Sequence, residues 1–414
     1  MTPAPTAPLW NAAVTARPKL LVRCTSTADV QAAVRTAREQ GLPLAVRGGG
    51  HDWAGRAVAD GGLTVDLTPM RQVDVDPATA VATVAGGATA ADVAAVAHRA
   101  GLVAVTGTAG SVGMVGLTTG GGYGPLSGRF GLAADNLLSA EVVLADGTLV
   151  VADDEHHRDL LWALRGGGAN FGVVTSMRVR LHRVPTILAG MLLFPMDVLP
   201  ALEDHLLRAP DELTVQAGFM TPPGGELSLF ASPTWCGEEE AGARALRRFT
   251  EVGPPLVEQV GPTTQVDQLA AIDALYPPGR HVHIGTRTVT ALDRGVEAAL
   301  RDAAGRMTSP LSAISLHSLH GAATRPGPDD TAFRNRAPHL MVESIAVWED
   351  GDPSPQRHRD WARTLDPLPG GYPNLLGPDE RERTVEVFGP NADRLRAVKA
   401  HYDPDHLFHA TGSL

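Results

Sequence analysis

The stretch Val46-Arg47-Gly48-Gly49-Gly50-His51-Asp52-Trp53-Ala54-Gly55 lies between a short apolar run and an Ala-, Val- and Leu-rich segment. Three consecutive glycines let a backbone turn through angles closed to other residues and bring its N–H groups against an anion such as a pyrophosphate. His51, at the lip of that loop, is placed to touch whatever carries the anion. A tight turn with an ordinary surface histidine has the same local signature, so the rest of the chain has to decide between the two.

Two segments leading into glycine-rich loops share a plan. Ser26 to Asp29 forms a Ser-x-x-Asp cap, apolar residues at helical spacing run to Gly41, and Leu44-Ala45-Val46 reads as a strand. Thr89 to Asp92 repeats the cap, its helix stops at Gly101, and Leu102 to Val105 follows as a strand into the glycine-rich loop of residues 106–124. Leu63 to Asp66 and Ala82 to Val84 read as short strands, residues 140–150 as a hairpin turning at Asp146-Gly147, and Gly172 to Leu181 as a strand with Val173, Thr175, Met177, Val179 and Leu181 on one face. Beyond about His182 the strands Leu188 to Phe194 and Leu227 to Phe230 alternate with helices over Glu238 to Val252 and Arg294 to Arg306. A final helix, Ala392 to His401, precedes an irregular end that is too short to fold alone and is expected to dock on the first part. The fold class is α+β, divided at residues 1–182, 183–370 and 371–414.

Glycine is the compositional outlier, with 45 residues in 414, against a usual share of roughly 7%. Nine lie between Gly101 and Gly124 and four between Gly166 and Gly172, the clustering of binding loops rather than of a linker. A formal net charge of -11 disfavours nucleic acid and anionic membranes as partners, and a small molecule is the better expectation. The Pro- and Ala-rich start shows no secretory signal, and no window reaches the roughly 20 apolar residues of a membrane span. Cys24 and Cys236 are far apart and read as reduced thiols of a cytoplasmic protein, the alternative being one long-range disulfide.

The loop of residues 106–124 lacks the Gly-Lys-Ser/Thr of a Walker loop and the downstream acidic residue of a dinucleotide fingerprint. Other motifs accompany it: Val112-Gly113 with Gly120-Gly121-Gly122-Tyr123-Gly124, Gly131-Leu132 with Asp135-Asn136-Leu137, Trp162 to Gly168, Asp330 to Phe333, Tyr372-Pro373-Asn374 and Tyr402-Asp403-Pro404. With Arg47 to His51, this set resembles the FAD-linked oxidases of the vanillyl-alcohol oxidase superfamily, in the berberine-bridge-enzyme-like branch. The resemblance runs from about Arg17 through most of the chain and is weakest in the middle.

That resemblance implies a two-part PCMH-type FAD-binding domain, closed by the C-terminal segment, with an inserted substrate domain of antiparallel sheet covered by helices. It implies cofactor contacts at Arg47, Gly48, Gly49, Gly50, His51, Gly107, Val112, Gly113, Leu117, Gly120, Gly121, Gly122, Asp135, Asn136, Gly172, Val173 and Val174. It further implies a covalent bond from His51 to the flavin 8α carbon, which makes the ring a stronger oxidant. Many relatives carry a second link through a cysteine where this chain has Ala109, so attachment through His51 only is expected. Val112 falls at the position beside the oxygen-access face of the flavin. Tyr372 and Asn374 match a Tyr-x-Asn motif whose tyrosine is a base in several relatives, although a phenol with a reference pKa near 10 needs activation for that role. A packed, hydrogen-bonded tyrosine is the alternative; Tyr123 is the second candidate, and Tyr276 and Tyr402 follow.

Other residues carry weaker signals. His281 and His283 share a strand face but have no apparent third ligand, so no metal site is expected. His317 and His320 are ordinary histidines or pocket residues, and Glu343 and Trp348 could line a pocket or a core. The expected activity is oxidation of an alcohol, sugar hydroxyl or amine of secondary metabolism. In it Tyr372 or a neighbour takes a proton, hydride passes to flavin N5, and molecular oxygen leaves as hydrogen peroxide. The rivals are a dehydrogenase using another acceptor and a flavoprotein that uses FAD as a structural prop for a non-redox cyclisation.

Overall fold

Both capping boxes form, and each delivers its helix into a strand that ends at the site. In a computed structural model describing residues 7–409, Ser26 caps the helix Thr27–Glu39 and Thr89 caps Ala90–Arg99, with Asp29 and Asp92 closing the reciprocal bonds. Gly41 and Gly101 then take left-handed φ values of 60° and 67°, which only glycine adopts without strain. Met1 to Thr6 and Ala410 to Leu414, the ends of the first and last expected segments, lie outside the described residues.

The first helix leads to Leu44–Arg47, which pairs in parallel with Leu63–Asp66, itself parallel to Leu20–Arg23. This register sets Arg47 opposite Asp66, where the two form an ion pair at 3.1 Å and the strand gives way to Gly48. A second sheet runs Val73–Asp76, Val81–Ala85, Val173–His182, Leu137–Val143, Leu149–Ala152, with Val103–Ala104 on the edge of the long strand. The expected hairpin turns at Gly147, φ 83°. Alternation along Val173–His182 holds only from Met177 onward. The register shifts where Glu141 and Val142 pair with Ser176 and Val174, leaving Thr175 as the extra residue on the long strand, so Val174 joins Met177 and Val179 in one core while Val173 packs with Val143 in another.

The segment expected as a continuous loop over residues 106–124 contains the helix Met114–Gly120. Its glycines masked the periodicity, since glycine costs about 1 kcal/mol in a helix interior. Burial of Met114, Val115, Thr118 and Thr119 outweighs that propensity.

The middle of the chain builds a seven-stranded antiparallel sheet in the order Val257–Pro262, Thr186–Phe194, Ser228–Gly237, Leu213–Met220, Ala313–Leu319, His339–Trp348, His281–Val289. One face is covered by helices that include Arg294–Gly305 and Pro355–Ala362, over a core of Val215, Phe219, Ile314, Leu316, Val342 and Trp361. Strand alternation turns Gln216, Ser315, His317, Met341 and Glu343 to the opposite face. Glu343 and Trp348 are five residues apart and therefore face opposite ways, so the choice between pocket and core falls differently for each: Glu343 lines the cavity and Trp348 is core.

The C-terminal helices Arg381–Phe388 and Asn391–Tyr402 place Phe388, Leu395, Val398 and Tyr402 in the core formed by the first part of the chain, and Phe408 bridges to Leu44. Lys399 anchors this return: its buried ammonium donates to Asp403, to the carbonyl of Asn170 and to that of Phe408. Cys24 and Cys236 are both free and buried, and burial pushes each thiol up to about 12. Among the described residues no helix is long and apolar enough to cross a membrane. Lys399→Ala leaves the Asp403 carboxylate, which is fully buried, without its counter-ion. Denaturant unfolding is expected to show a loss of about 3–5 kcal/mol.

Candidate active site

Between the glycine loops and the open face of the seven-stranded sheet lies a cavity of about 400 Å³. Two backbones shape its first wall. The loop at Gly49 crosses the loop at Gly113 so closely that a Cβ at Gly49 would stand 2.3 Å from the nitrogen of Gly113, and one at Gly113 would stand 2.5 Å from the nitrogen of Gly49. Only paired glycines permit that crossing. A Cβ at Gly116 would instead project into open space at the cavity.

His51, Ala109, Val112 and Leu117 line this wall with Gly48, Gly49, Gly50, Gly107, Gly113, Gly122, Gly172, Val173 and Val174. Trp10 stacks on the His51 ring with centroids 5.0 Å apart. His51 Nε2 lies 2.9 Å from Ser111 Oγ, which donates to Asp273 Oδ1 at 2.6 Å. Burial lowers His51 to about 4, against a smaller opposing pull from Asp273, so its imidazole is neutral. The N–H groups of Gly48, Gly49 and Gly50 donate to no protein acceptor among the described residues.

The sheet wall carries a short polar line. Gln216 Nε2 donates to Ser315 Oγ at 2.7 Å, Ser315 Oγ lies 3.1 Å from His317 Nε2, and that nitrogen lies 3.3 Å from Glu343 Oε2. Around it Phe230, Ile272, Ile284, Met341 and Ile345 keep the cavity apolar. His320 turns away from the cavity and packs against Gly128. His281 lies beside Asp350, and His283 packs edge-on against Trp53.

Tyr372 and Asn374 reach the cavity from the chain's return segment. The Tyr372 hydroxyl accepts the N–H of Gly122 at 3.0 Å, and Asn374 Nδ2 donates to the carbonyl of Gly116 at 3.2 Å. Burial pushes Tyr372 up to about 12 despite opposing hydrogen bonds from Gly122 and Asn374. Tyr123 contributes its ring to the cavity, but its hydroxyl is spent elsewhere. His339 Nδ1 faces the carbonyl of Ala337 at 2.7 Å and so carries the ring hydrogen, leaving Nε2 to accept from Tyr123 at 2.7 Å. Burial raises Tyr123 well above its ordinary range. Tyr276 also lines the cavity, whereas Tyr402 is bonded to Asp159 away from it.

A model described as an FAD binding domain matches residues 18–153, and one described as berberine and berberine-like matches residues 371–414. The chain is 32% identical to the FAD-linked oxidoreductase aurO of Gibberella zeae, over 97% of this chain and 81% of that one. The chain belongs to the berberine-bridge-enzyme-like family of FAD-linked oxidases. It is also 31% identical to the (R)-6-hydroxynicotine oxidase of Paenarthrobacter nicotinovorans, over 97% of this chain and 92% of the other. The crystal structure of 6-hydroxy-D-nicotine oxidase from Arthrobacter nicotinovorans superposes with a TM-score of 0.88 at 28% identity, covering 98% of this chain and 94% of that one. The enzyme is an FAD-dependent oxidoreductase with the α+β fold of those oxidases.

The residues present fit FAD. Unspent amide N–H groups in the triple-glycine loop suit a pyrophosphate, the buried Nε of Arg47 has no partner among the described residues, and the apolar cavity suits a flat ring. Arg47 itself does not line the main cavity; with Gly48 and Gly49 it lines a second, polar one that also holds Arg23 and Arg71. Four further residues expected at the cofactor stand behind the wall. Asp135 pairs with Arg336 at 2.7 Å and caps Leu132, and Asn136 donates to the carbonyls of Phe130 and Leu132. Gly120 makes room for Asn374, and Gly121, φ 125°, for Phe333. These motifs brace the loops rather than line the cavity. Trp10, Ser111 and Asp273 were not singled out in the sequence: Asp273 sits in the stretch of weakest resemblance, and a single Ser-to-Asp approach across 162 positions leaves no local pattern. Gly113→Ala is expected to destabilise the protein by about 1–3 kcal/mol and to lower bound FAD per chain, measured from the ratio of flavin to protein absorbance.

Proposed function

We propose that the enzyme oxidises a small, largely apolar alcohol or amine of secondary metabolism, with FAD attached through His51 alone and dioxygen as the final acceptor. The observation that carries this reading is the Gln216–Ser315–His317–Glu343 line facing the glycine loops across an otherwise apolar cavity. An oligosaccharide would call for hydrogen-bond partners along much of the wall, whereas this wall offers one polar line. The relative named (R)-6-hydroxynicotine oxidase supports the same choice. Ala109 lines the cavity without a thiol, and Cys24 and Cys236 do not line it, which supports a single tether. We take residues 1–182 with 371–414 as the FAD-binding unit and 183–370 as the inserted substrate unit. The two buried free thiols support a cytoplasmic setting.

FAD held by these loops would supply a hydride acceptor and a means of delivering electrons to dioxygen. The chain's own residues manage the proton. Tyr372, held by Gly122 and raised to about 12, stays protonated and offers a hydrogen bond to the substrate oxygen or nitrogen. This reading replaces the expectation of Tyr372 as base, because burial without a nearby cation disfavours the phenolate. The bond from Tyr123 to His339 supports giving the role to another group. The Glu343–His317 pair instead accepts the O–H or N–H proton, and Met341, Ile345 and Phe230 exclude water around it.

Under anaerobic stopped-flow mixing, Glu343→Gln is expected to slow flavin reduction by about 10²–10⁴-fold. Tyr372→Phe is expected to cost about tenfold, the scale of one lost hydrogen bond. A larger loss for Tyr372→Phe than for Glu343→Gln would reverse the two assignments, and turnover without bleaching of the flavin band would remove the oxidase reading altogether. Acid-precipitated wild-type protein is expected to stay yellow, and His51→Ala to lose its colour on precipitation.

A further inference from the structure

Ser111 has one hydroxyl hydrogen and stands between two partners. Its Oγ lies 2.6 Å from Asp273 Oδ1, which also accepts the Ser111 N–H at 3.2 Å, and 2.9 Å from His51 Nε2. A carboxylate only accepts, so the hydroxyl hydrogen points to Asp273 and Oγ receives the hydrogen of Nε2. The His51 lone pair then resides on Nδ1, which has no hydrogen-bond partner among the described residues, in a ring that lines the cavity and is held flat by Trp10. Asp273 belongs to the helix Gln265–Leu275, which leaves the inserted sheet and packs Leu269 into the core around Ala90–Arg99. Gly110 leaves room for its carboxylate: a Cβ there would stand 2.8 Å from Oδ2.

We propose that Asp273, acting through Ser111, fixes the His51 tautomer and receives its Nε2 proton while FAD is covalently attached, so that the inserted unit supplies a positioning residue for flavin attachment. The proposal rests on the reading that His51 is the tether. In the attachment step the Nδ1 lone pair forms a bond to the flavin 8α carbon, and that carbon gives up one hydrogen as a proton. The Nε2 proton leaves through Ser111 Oγ toward Asp273. Two electrons remain on the ring until dioxygen takes them with two protons and departs as hydrogen peroxide.

The test uses full-length protein produced under riboflavin limitation, mixed with FAD in air and sampled into denaturant, with the covalent fraction read as flavin fluorescence on the denatured band. Wild type is expected to become fully labelled and His51→Ala to remain unlabelled. Ser111→Ala and Asp273→Asn are expected to bind FAD that denaturation releases, and to form the covalent band at least about tenfold more slowly, the low end of a lost proton acceptor. Asp273→Asn keeps an acceptor for the Ser111 hydroxyl, which separates proton uptake from a tether between helix and loop. Ser111→Thr keeps the hydroxyl and is expected to label at close to the wild-type rate. Labelling of both Ser111→Ala and Asp273→Asn at the wild-type rate overturns the relay and leaves the His51 tether standing. Release of all flavin from wild type overturns the tether and the relay together.

Discussion

Everything at the cavity depends on two chain segments, more than sixty residues apart, meeting at a distance that admits no side chain. The crossing of Gly49 and Gly113 fixes where His51 stands, where the amide groups of the triple-glycine loop lie, and where the helix Met114–Gly120 begins. Each segment arrives there for a local reason. The capping boxes at Ser26 and Thr89 start helices whose ends turn at left-handed glycines, and the following strands carry the chain to the crossing. Backbone contact of this kind costs conformational entropy that glycine concedes more than any other residue. The surrounding cores and the return of Phe408 onto Leu44 offset that cost.

Opposite this rigid wall the molecule sets a sheet whose two faces have different tasks. Helix-covered residues such as Val215, Leu316 and Val342 form a core, and their immediate neighbours Gln216, Ser315, His317 and Glu343 form the polar line of the site. The antiparallel register brings those neighbours together: Gln216 stands opposite His317 and Ser315 opposite Glu343. A one-residue slip of any strand would bury its polar members in the helix layer. Stability of the sheet and chemistry of the site are thus enforced by the same pairing.

The sequence was most legible where chemistry is written in the backbone. The triple glycine, the caps, the turn at Asp146-Gly147 and the family motifs each rest on a conformational requirement that few residues meet, and the helices and strands formed where those signals lay. It was less legible where a motif braces rather than touches. The resemblance implies Asp135 and Asn136 as cofactor contacts, yet neither lines the cavity, and their partners include Arg336 and the carbonyls of Phe130 and Leu132. The glycines of residues 106–124 likewise concealed a helix that burial stabilises.

By itself, then, the chain's order of residues determined the family, the cofactor and the small set of loops that surround it, because glycine spacing and capping residues act within a few positions of themselves. Only the tertiary structure decided which groups share the cavity. It turned the Tyr123 hydroxyl to His339 and Trp348 into the core, set Glu343 and His317 on the cavity, and brought Asp273 to Ser111 across 162 positions. The physical reason is that proton transfer and tautomer choice depend on distances near 3 Å between atoms from different elements, and those distances exist only after the sheet register and the docking of the helix Gln265–Leu275 are set.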